Sequence, residues 1–211
     1  SQHLVFPDIS GPHGLEYKMD KWLVNLFNTT MDIIVPSDEY KMTSDRYLSY
    51  YRYRAIEFLI DENTRKKYEG RGARDAQAVC AQLARIMQIL LVKRLESSFT
   101  AFKESLRNLQ KYTENMIRMW ENNTIFICPG INVNEELDEE AKTLKRGYKV
   151  TFDECVNDIR EKIKKLDEKG RNEKGQNAEY TREDFKEEYI DLLKMDNKYI
   201  KWLCDQWAKN S

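Results

Sequence analysis

Histidine is nearly absent from this sequence. Only His3 and His13 occur among its 211 residues, and both lie ahead of the first predicted helix. Histidine–metal clusters, Ser-His-Asp triads and Cys-His pairs each need at least one imidazole that the surrounding structure holds in place. The sequence therefore disfavours hydrolases and metalloenzymes of these kinds. We predict no catalytic residue, no cofactor-binding residue and no metal ligand in this chain.

Glycine and cysteine are also scarce. The eight glycines form neither a G-x-x-x-x-G-K-[ST] loop nor a G-x-G-x-x-G turn, so no nucleotide phosphate loop is predicted. Cys80, Cys128, Cys155 and Cys204 stand far apart without C-x-x-C spacing, which disfavours a zinc site or a disulfide framework. The sequence has no signal-peptide pattern and no apolar run of transmembrane length. We expect free thiols, a cytoplasmic location and no membrane partner.

The composition favours helices. Charged residues make up 34% of the chain, and only four prolines interrupt it, which together predict an all-α fold. Residues 73–120 contain neither Gly nor Pro and repeat their apolar residues at steps of three and four. We predict one very long helix over this stretch, which at about 1.5 Å per residue would measure about 70 Å. The remaining helices of a single domain, residues 1–211, should pack against this helix.

The same patterns divide the rest of the chain. We predict an extended lead-in (1–14), a first helix over 15–34 that Pro36 ends, and a second over about 44–60. Residues 61–72 form a charged connector. Residues 121–150 form an irregular connector with an extended run at 124–128 and a short helix over about 134–145. Residues 168–180 form a mobile loop. A capping box of Thr151 with Glu154 predicts a helix to about Leu166. Thr181 with Asp184 is predicted to open a last helix that docks on the long one.

Basic residues concentrate in the predicted long helix. Residues 73–120 hold eight basic and four acidic residues, whereas net charge is −1 over 1–72 and −4 over 121–211. Most of these cations fall opposite the apolar stripe: Arg85, Lys93, Lys103, Arg107, Lys111 and Arg118. They could face phosphates, but we favour a solvated face that pairs with the acidic C-terminal third. Arg94 falls inside the stripe, where we favour a buried ion pair over a contact with another protein.

A second cluster mixes tyrosine with arginine. Tyr47, Tyr50, Tyr51, Arg52, Tyr53 and Arg54 all fall within the second predicted helix. Interleaved aromatics and arginines can stack on bases and hold phosphates. The alternative is an amphipathic packing face whose hydroxyls reach water, and we favour this interpretation.

Several motifs resemble one protein family. Residues 90–102, LLVKRLESSFTAF, resemble the LLKRLESS…F helix of bacterial Swi/Snf-class helicase-like ATPases, the branch that often carries a phospholipase-D-like domain. In the same order along the chain, Phe6-Pro7 followed by Glu16-Tyr17 is similar to the segment that leaves their first RecA-like lobe. Residues 51–54 resemble their YxRYR helix, and residues 196–198, near Trp202, resemble their DxK helix. Residues 121–180 match nothing in this pattern.

The resemblance implies a helical insertion between two RecA-like lobes of a larger helicase or translocase that hydrolyses ATP on double-stranded DNA. ATP and Mg would belong to the whole enzyme, because the family's phosphate loop, DExx site and arginine finger have no counterpart here. The implied partners are the flanking lobes and duplex DNA. Candidate contact residues are Arg52, Arg54, Arg85, Lys93, Arg94, Lys103 and Arg107. A free-standing helical scaffold for protein–protein interaction is the alternative.

Overall fold

A computed structural model describes residues 19–69 and 75–209 and shows an all-α protein. The α-helices are α1 (Lys21–Ile34), α2 (Asp38–Thr43), α3 (Glu62–Lys66), α4 (Ala76–Ser97), α5 (Phe99–Glu121), α6 (Val133–Glu136), α7 (Glu139–Arg146), α8 (Phe152–Glu168) and α9 (Glu188–Ala208). The 3-10 helices are Tyr51–Phe58, Glu173–Gly175 and Arg182–Asp184. Two short strands, β1 (Ile125–Ile127) and β2 (Ala178–Tyr180), pair antiparallel with Ile125 opposite Tyr180. The predicted lead-in, residues 1–14, lies outside the described residues.

The prediction of a single very long helix is wrong, because the helix is interrupted at Ser98. This residue has extended backbone angles, φ −163° and ψ 118°, and serves as the end of α4 and the start of α5. Its N–H donates to Arg94 O at 2.9 Å, and its hydroxyl accepts from the Ala101 N–H at 3.3 Å. A serine hydroxyl satisfies a free N–H at a helix start, and the break lets α4 and α5 both bury apolar side chains in one cluster, among them Leu91, Leu95, Phe102 and Leu106.

The interruption at Ser98 predicts whether Ser98→Ala raises or lowers the free energy of unfolding. In a continuous helix, Ser98→Ala would stabilise the protein by a few tenths of a kcal/mol, because alanine is the better helix former. With Ser98 as an N-cap, we expect the substitution to lower the free energy of unfolding by about 1 kcal/mol, measured by urea denaturation. Ser97→Ala is the matched control, since Ser97 is exposed and caps no helix. A stabilised Ser98→Ala protein would contradict the break.

The predicted second helix is also wrong. Residues 38–43 form α2, with Ser37 as its N-cap, and residues 51–58 form a 3-10 helix. Between them Tyr50 adopts left-handed backbone angles, φ 58° and ψ 38°, which an α-helix cannot accommodate. The Thr181 capping box opens a 3-10 turn, and α9 begins only at Glu188. By contrast, the Thr151 capping box opens α8 as predicted.

Helices α5 and α9 pack along each other and join two hydrophobic clusters, so the last helix docks as predicted. The first cluster includes Trp120, Phe185 and Tyr189, with Phe185 and Tyr189 stacked at 5.6 Å between ring centroids. The second cluster lies at the other end of α9 and includes Trp207 and Phe102. Residues of α4 enter both clusters, through Cys80 in the first and Leu91 in the second.

Charged residues connect the C-terminal third to α5. Lys111 Nζ lies 2.7 Å from Asp138 Oδ2, and Arg118 pairs with Glu139. These two pairs fit the favoured interpretation of the basic face, at least at the C-terminal end of α5. The connector over 121–150 contains β1, α6 and α7, while the segment over 168–180 contains a 3-10 turn and β2.

Candidate functional site

Two of the motif segments meet at a buried carboxylate. Asp196 on α9 is 2% exposed, and its two oxygens accept from the N–H groups of Ser49 at 2.9 Å and Tyr51 at 2.7 Å. These bonds flank Tyr50 on both sides and fix the start of the 3-10 helix. The Tyr50 hydroxyl in turn donates to Ile34 O of α1 at 2.9 Å. Asp196 thus ties three parts of the chain that lie far apart in sequence.

Burial dominates the electrostatics of this carboxylate. Loss of solvent raises the pKa of Asp196 to about 6, although the backbone N–H groups and the charge of Arg54 act in the opposite direction. The hydroxyl of Tyr189 is fully buried, has no hydrogen-bond partner in the described residues, and has a raised pKa for the same reason. This buried polar cluster is therefore incompletely satisfied.

The arginines of the YRYR segment are engaged within the fold. The Arg52 guanidinium lies over Tyr53 at 4.8 Å and over Tyr112 at 5.2 Å, and its Nε is buried without a partner among the described residues. Arg54 Nη2 lies 2.7 Å from Glu57 Oε2, which raises the pKa of Arg54. Arg54 thus pairs within the fold, as the packing interpretation predicts. The Tyr50 hydroxyl does not reach water as that interpretation expected, because it donates to Ile34 O in a buried place. The role of both arginines as contact residues stays a prediction.

Helix α4 is apolar on two sides. Its inner face, including Cys80, Leu91 and Leu95, is buried. Its outer face exposes four large aliphatic side chains by 44–49% each: Leu83, Ile86, Ile89 and Leu90. A helix that is apolar all round is usually buried all round, so this surface, which we call the α4 outer face, is unusual.

The structure separates the predicted basic residues into two groups. Arg85, Lys93 and Arg94 are exposed on α4, around the α4 outer face. The buried ion pair predicted for Arg94 is wrong, because the side chain is exposed and makes no ion pair within the described ranges. On α5, Arg107 is exposed and Lys103 is half-buried with an interaction of its own.

Sequence reasoning missed a basic groove along α9. It has a volume of about 500 Å³, and four basic side chains line it against two acidic ones. The basic residues are Arg46, Lys194, Lys198 and Lys201, and the acidic ones are Asp45 and Asp205. The spacing of the lysines, four and then three residues, was visible in the sequence as one stripe of a helix.

Comparison with known proteins adds no relative. No family model, no curated protein and no solved structure matches the chain. The likeness to helicase-like ATPases therefore depends on the motifs and their positions in this structure.

Residues 19–69 and 75–209 contain no helix that is both long and apolar enough to cross a membrane. Across the same ranges, His, Cys, Asp and Glu side chains form no group of three or more that could hold a metal ion. All four cysteines are free, and burial raises the pKa of the Cys80 and Cys204 thiols to about 11 and of Cys128 to about 12. These three thiols stay protonated near neutral pH.

Proposed function

We propose that this chain is the helical region between the two RecA-like lobes of a Swi/Snf-class helicase or translocase, with no ATPase site of its own. The observation that carries the proposal is the α4 outer face. It lies on the helix that bears most of the LLVKRLESSFTAF motif, and it exposes a stripe of aliphatic side chains that a neighbouring domain would cover. We assign that cover to a flanking lobe of the same polypeptide.

The positions of the motifs support the resemblance. The segments similar to the family's YxRYR and DxK helices lie 145 residues apart between Tyr51 and Asp196, yet these two residues share a hydrogen bond. The motif on α4 adjoins the same region, because Leu91 and Tyr50 are buried in one cluster. Three motifs that are scattered along the chain therefore form one neighbourhood in space.

The interruption of the predicted long helix at Ser98 changes how motion would pass through the domain. A single helix of about 70 Å could act as a stiff lever, but α4 and α5 are separate helices joined at Ser98. We propose that a lobe docked on the α4 outer face moves α4, and that the buried side chains of Leu91 and Leu95 pass this movement to α9 through the second cluster. The exposed Arg85, Lys93 and Arg94 lie where they could contact that lobe or DNA.

The experiment has two parts. The 211-residue chain alone is expected to hydrolyse no ATP. In the polypeptide that includes the lobes, Leu83→Ser/Ile86→Ser/Leu90→Ser should lower DNA-stimulated ATP hydrolysis at least about tenfold, since docking of one aliphatic patch contributes several kcal/mol. The 211-residue chain with the same substitutions should still fold, because the three side chains are already 44–49% exposed there. The matched control is Met42→Ser/Leu144→Ser, because both side chains are 86% exposed and lie outside this face. ATP turnover by the chain alone, or full activity of the triple variant, would contradict the proposal.

The α4 outer face also fits the alternative, a free-standing scaffold that binds a separate protein. The reading frame of the gene discriminates between them. A phosphate loop encoded upstream and a second lobe downstream would support the helicase assignment, whereas a frame that closes near residues 1 and 211 would favour the scaffold.

A further inference from the structure

The groove along α9 has the charge of an anion-binding site. Its lysines occupy one stripe of α9, and the helix rises about 10 Å between Lys194 and Lys201. Arg46 extends the positive surface from the segment before the 3-10 helix, with its guanidinium 5.1 Å from the centre of the Trp202 ring. Lys201 also lies 3.0 Å from Glu114, but this pair is half exposed on both sides and therefore weak.

An aromatic side chain lies among these cations. Trp202 is half-buried and lines the groove together with Arg46 and the three lysines. A basic track beside an aromatic ring is the combination that binds single-stranded nucleic acids, because the cations contact the phosphates and a base stacks on the ring. The groove therefore calls for a ligand that has both negative charges and aromatic faces.

We propose that this groove binds a single strand of nucleic acid. The three lysines on α9 contact phosphates, and an unpaired base stacks on Trp202 beside the Arg46 guanidinium. This inference rests on the proposed function, in which the chain contacts nucleic acid, and gives that contact its own residues. A strand carries a phosphate about every 3.4 Å in a stacked duplex, and an unstacked strand is more extended, so a stripe about 10 Å long spans about two to three phosphates.

The single strand is favoured over other polyanions by the combination of groups. Inorganic phosphate satisfies the lysines but has no aromatic face to stack on Trp202. A duplex keeps its bases stacked on one another, so their faces cannot reach the half-buried Trp202 ring. A peptide made only of acidic residues, such as poly-glutamate, likewise has no aromatic face to stack on the indole.

The test measures fluorescence anisotropy of a labelled single strand of about 12 nucleotides, a length within the range of known single-strand sites. The purified 211-residue chain is expected to bind it, and the affinity should fall with a log–log salt slope of about −2 for three lysine contacts. Lys194→Gln/Lys198→Gln/Lys201→Gln should weaken binding at least about tenfold and bring the slope near zero. Trp202→Phe should weaken binding severalfold and remove most of the tryptophan quenching that the strand causes.

The controls distinguish binding in the groove from a general attraction between the strand and surface lysines. Lys164→Gln/Lys165→Gln/Lys169→Gln removes three exposed lysines from the far end of α8 and should leave the affinity within about twofold. Circular dichroism melting checks each variant, and Lys198→Glu alone provides a second disruptive variant of an exposed residue. The proposal is overturned if duplex of the same sequence or poly-glutamate binds as tightly as the single strand. Equal losses in the α8 control and the α9 variant would overturn it as well. None of these outcomes depends on lobe docking, so failure here leaves the α4 experiment unaffected.

Discussion

Asp196→Ala is expected to lower the free energy of unfolding by about 3–4 kcal/mol at pH 4, where the buried carboxyl group is mostly protonated. The substitution leaves the N–H groups of Ser49 and Tyr51 without their acceptor in a part-buried place, and each unsatisfied group costs about 1–3 kcal/mol. Tyr50 would also lose the contacts that hold its left-handed backbone. Chemical denaturation measures the free energy of unfolding, and the far-ultraviolet circular dichroism spectrum should report loss of the 3-10 helix.

The pH dependence supplies the control for Asp196. Because its folded-state pKa is raised to about 6 from an ordinary value of 3.8, the folded protein takes up a proton more readily than the unfolded chain. The stabilisation is complete below about pH 4 and is lost as the pH rises through about 6, by on the order of 3 kcal/mol. Asp196→Asn cannot titrate, so the wild type should gain about 2–3 kcal/mol of stability relative to this variant as the pH falls from 7 to 4. A constant difference would contradict the buried carboxylate.

Other carboxylates titrate in the opposite direction, which is why the comparison uses a variant. Hydrogen bonds from Lys162 and Lys142 hold the pKa of Glu136 below its usual value, although burial opposes them, and contacts with Lys142 and Arg146 do the same for Asp158. Both groups stabilise the fold above their ordinary pKa values, and this stabilisation is lost as the pH falls. Their contributions cancel in the difference between wild type and Asp196→Asn.

Trp207→Ala should be the most destabilising single truncation in the second cluster, at about 3–5 kcal/mol. The indole is 2% exposed, and its ring centre lies 5.1 Å from that of Phe99 and 5.3 Å from that of Phe102. Its Nε1 donates to Thr30 Oγ1 of α1 at 2.9 Å. Removal of the indole therefore opens a cavity between α1, α5 and α9 and breaks a buried hydrogen bond. Thermal and urea unfolding measure the loss.

Two milder variants separate the contribution of the aromatic ring to that loss from the contribution of the hydrogen bond. Trp207→Phe keeps an aromatic ring but loses the hydrogen bond, and Thr30→Val keeps the indole but removes its acceptor. We expect each to cost about 1–3 kcal/mol, and the double variant to cost less than the sum of the two. A loss below about 1 kcal/mol for Trp207→Ala would show that α9 does not pack as described.

The helical patterns predicted the long, one-sided elements well. Helix α5 buries Phe102, Leu109 and Met116, and α9 buries Tyr189 and Trp207, in each case at spacings of whole helical turns. Periodicity succeeds here because each helix has one neighbour-facing side. It was least informative for α4, whose apolar residues lie on both sides, so that the pattern could not say which side is buried.

The candidate site was harder to foresee. A serine suits a helix start as well as an exposed position within a long helix, so Ser98 alone did not reveal the break. The 3-10 helix depends on Asp196, which contacts it across 145 to 147 residues of sequence, and no local propensity encodes such a contact. The three lysines of the groove on α9 could be recognised in the sequence by their helical spacing, but Arg46 and Trp202 join them only in the folded chain.

The helical class, the docking of α9, the Thr151 cap and the contrast between the basic residues 73–120 and the acidic residues 121–211 were predictable from the amino-acid sequence, because they follow from local propensity, periodicity and charge. The interruption at Ser98, the exposed side of α4, the contacts of residues 51–54 and the exposure of Arg94 emerged only in the folded chain. Burial depends on which distant surfaces meet, and the energy of packing two apolar helices or satisfying one buried carboxylate exceeds the small local preferences that a sequence displays.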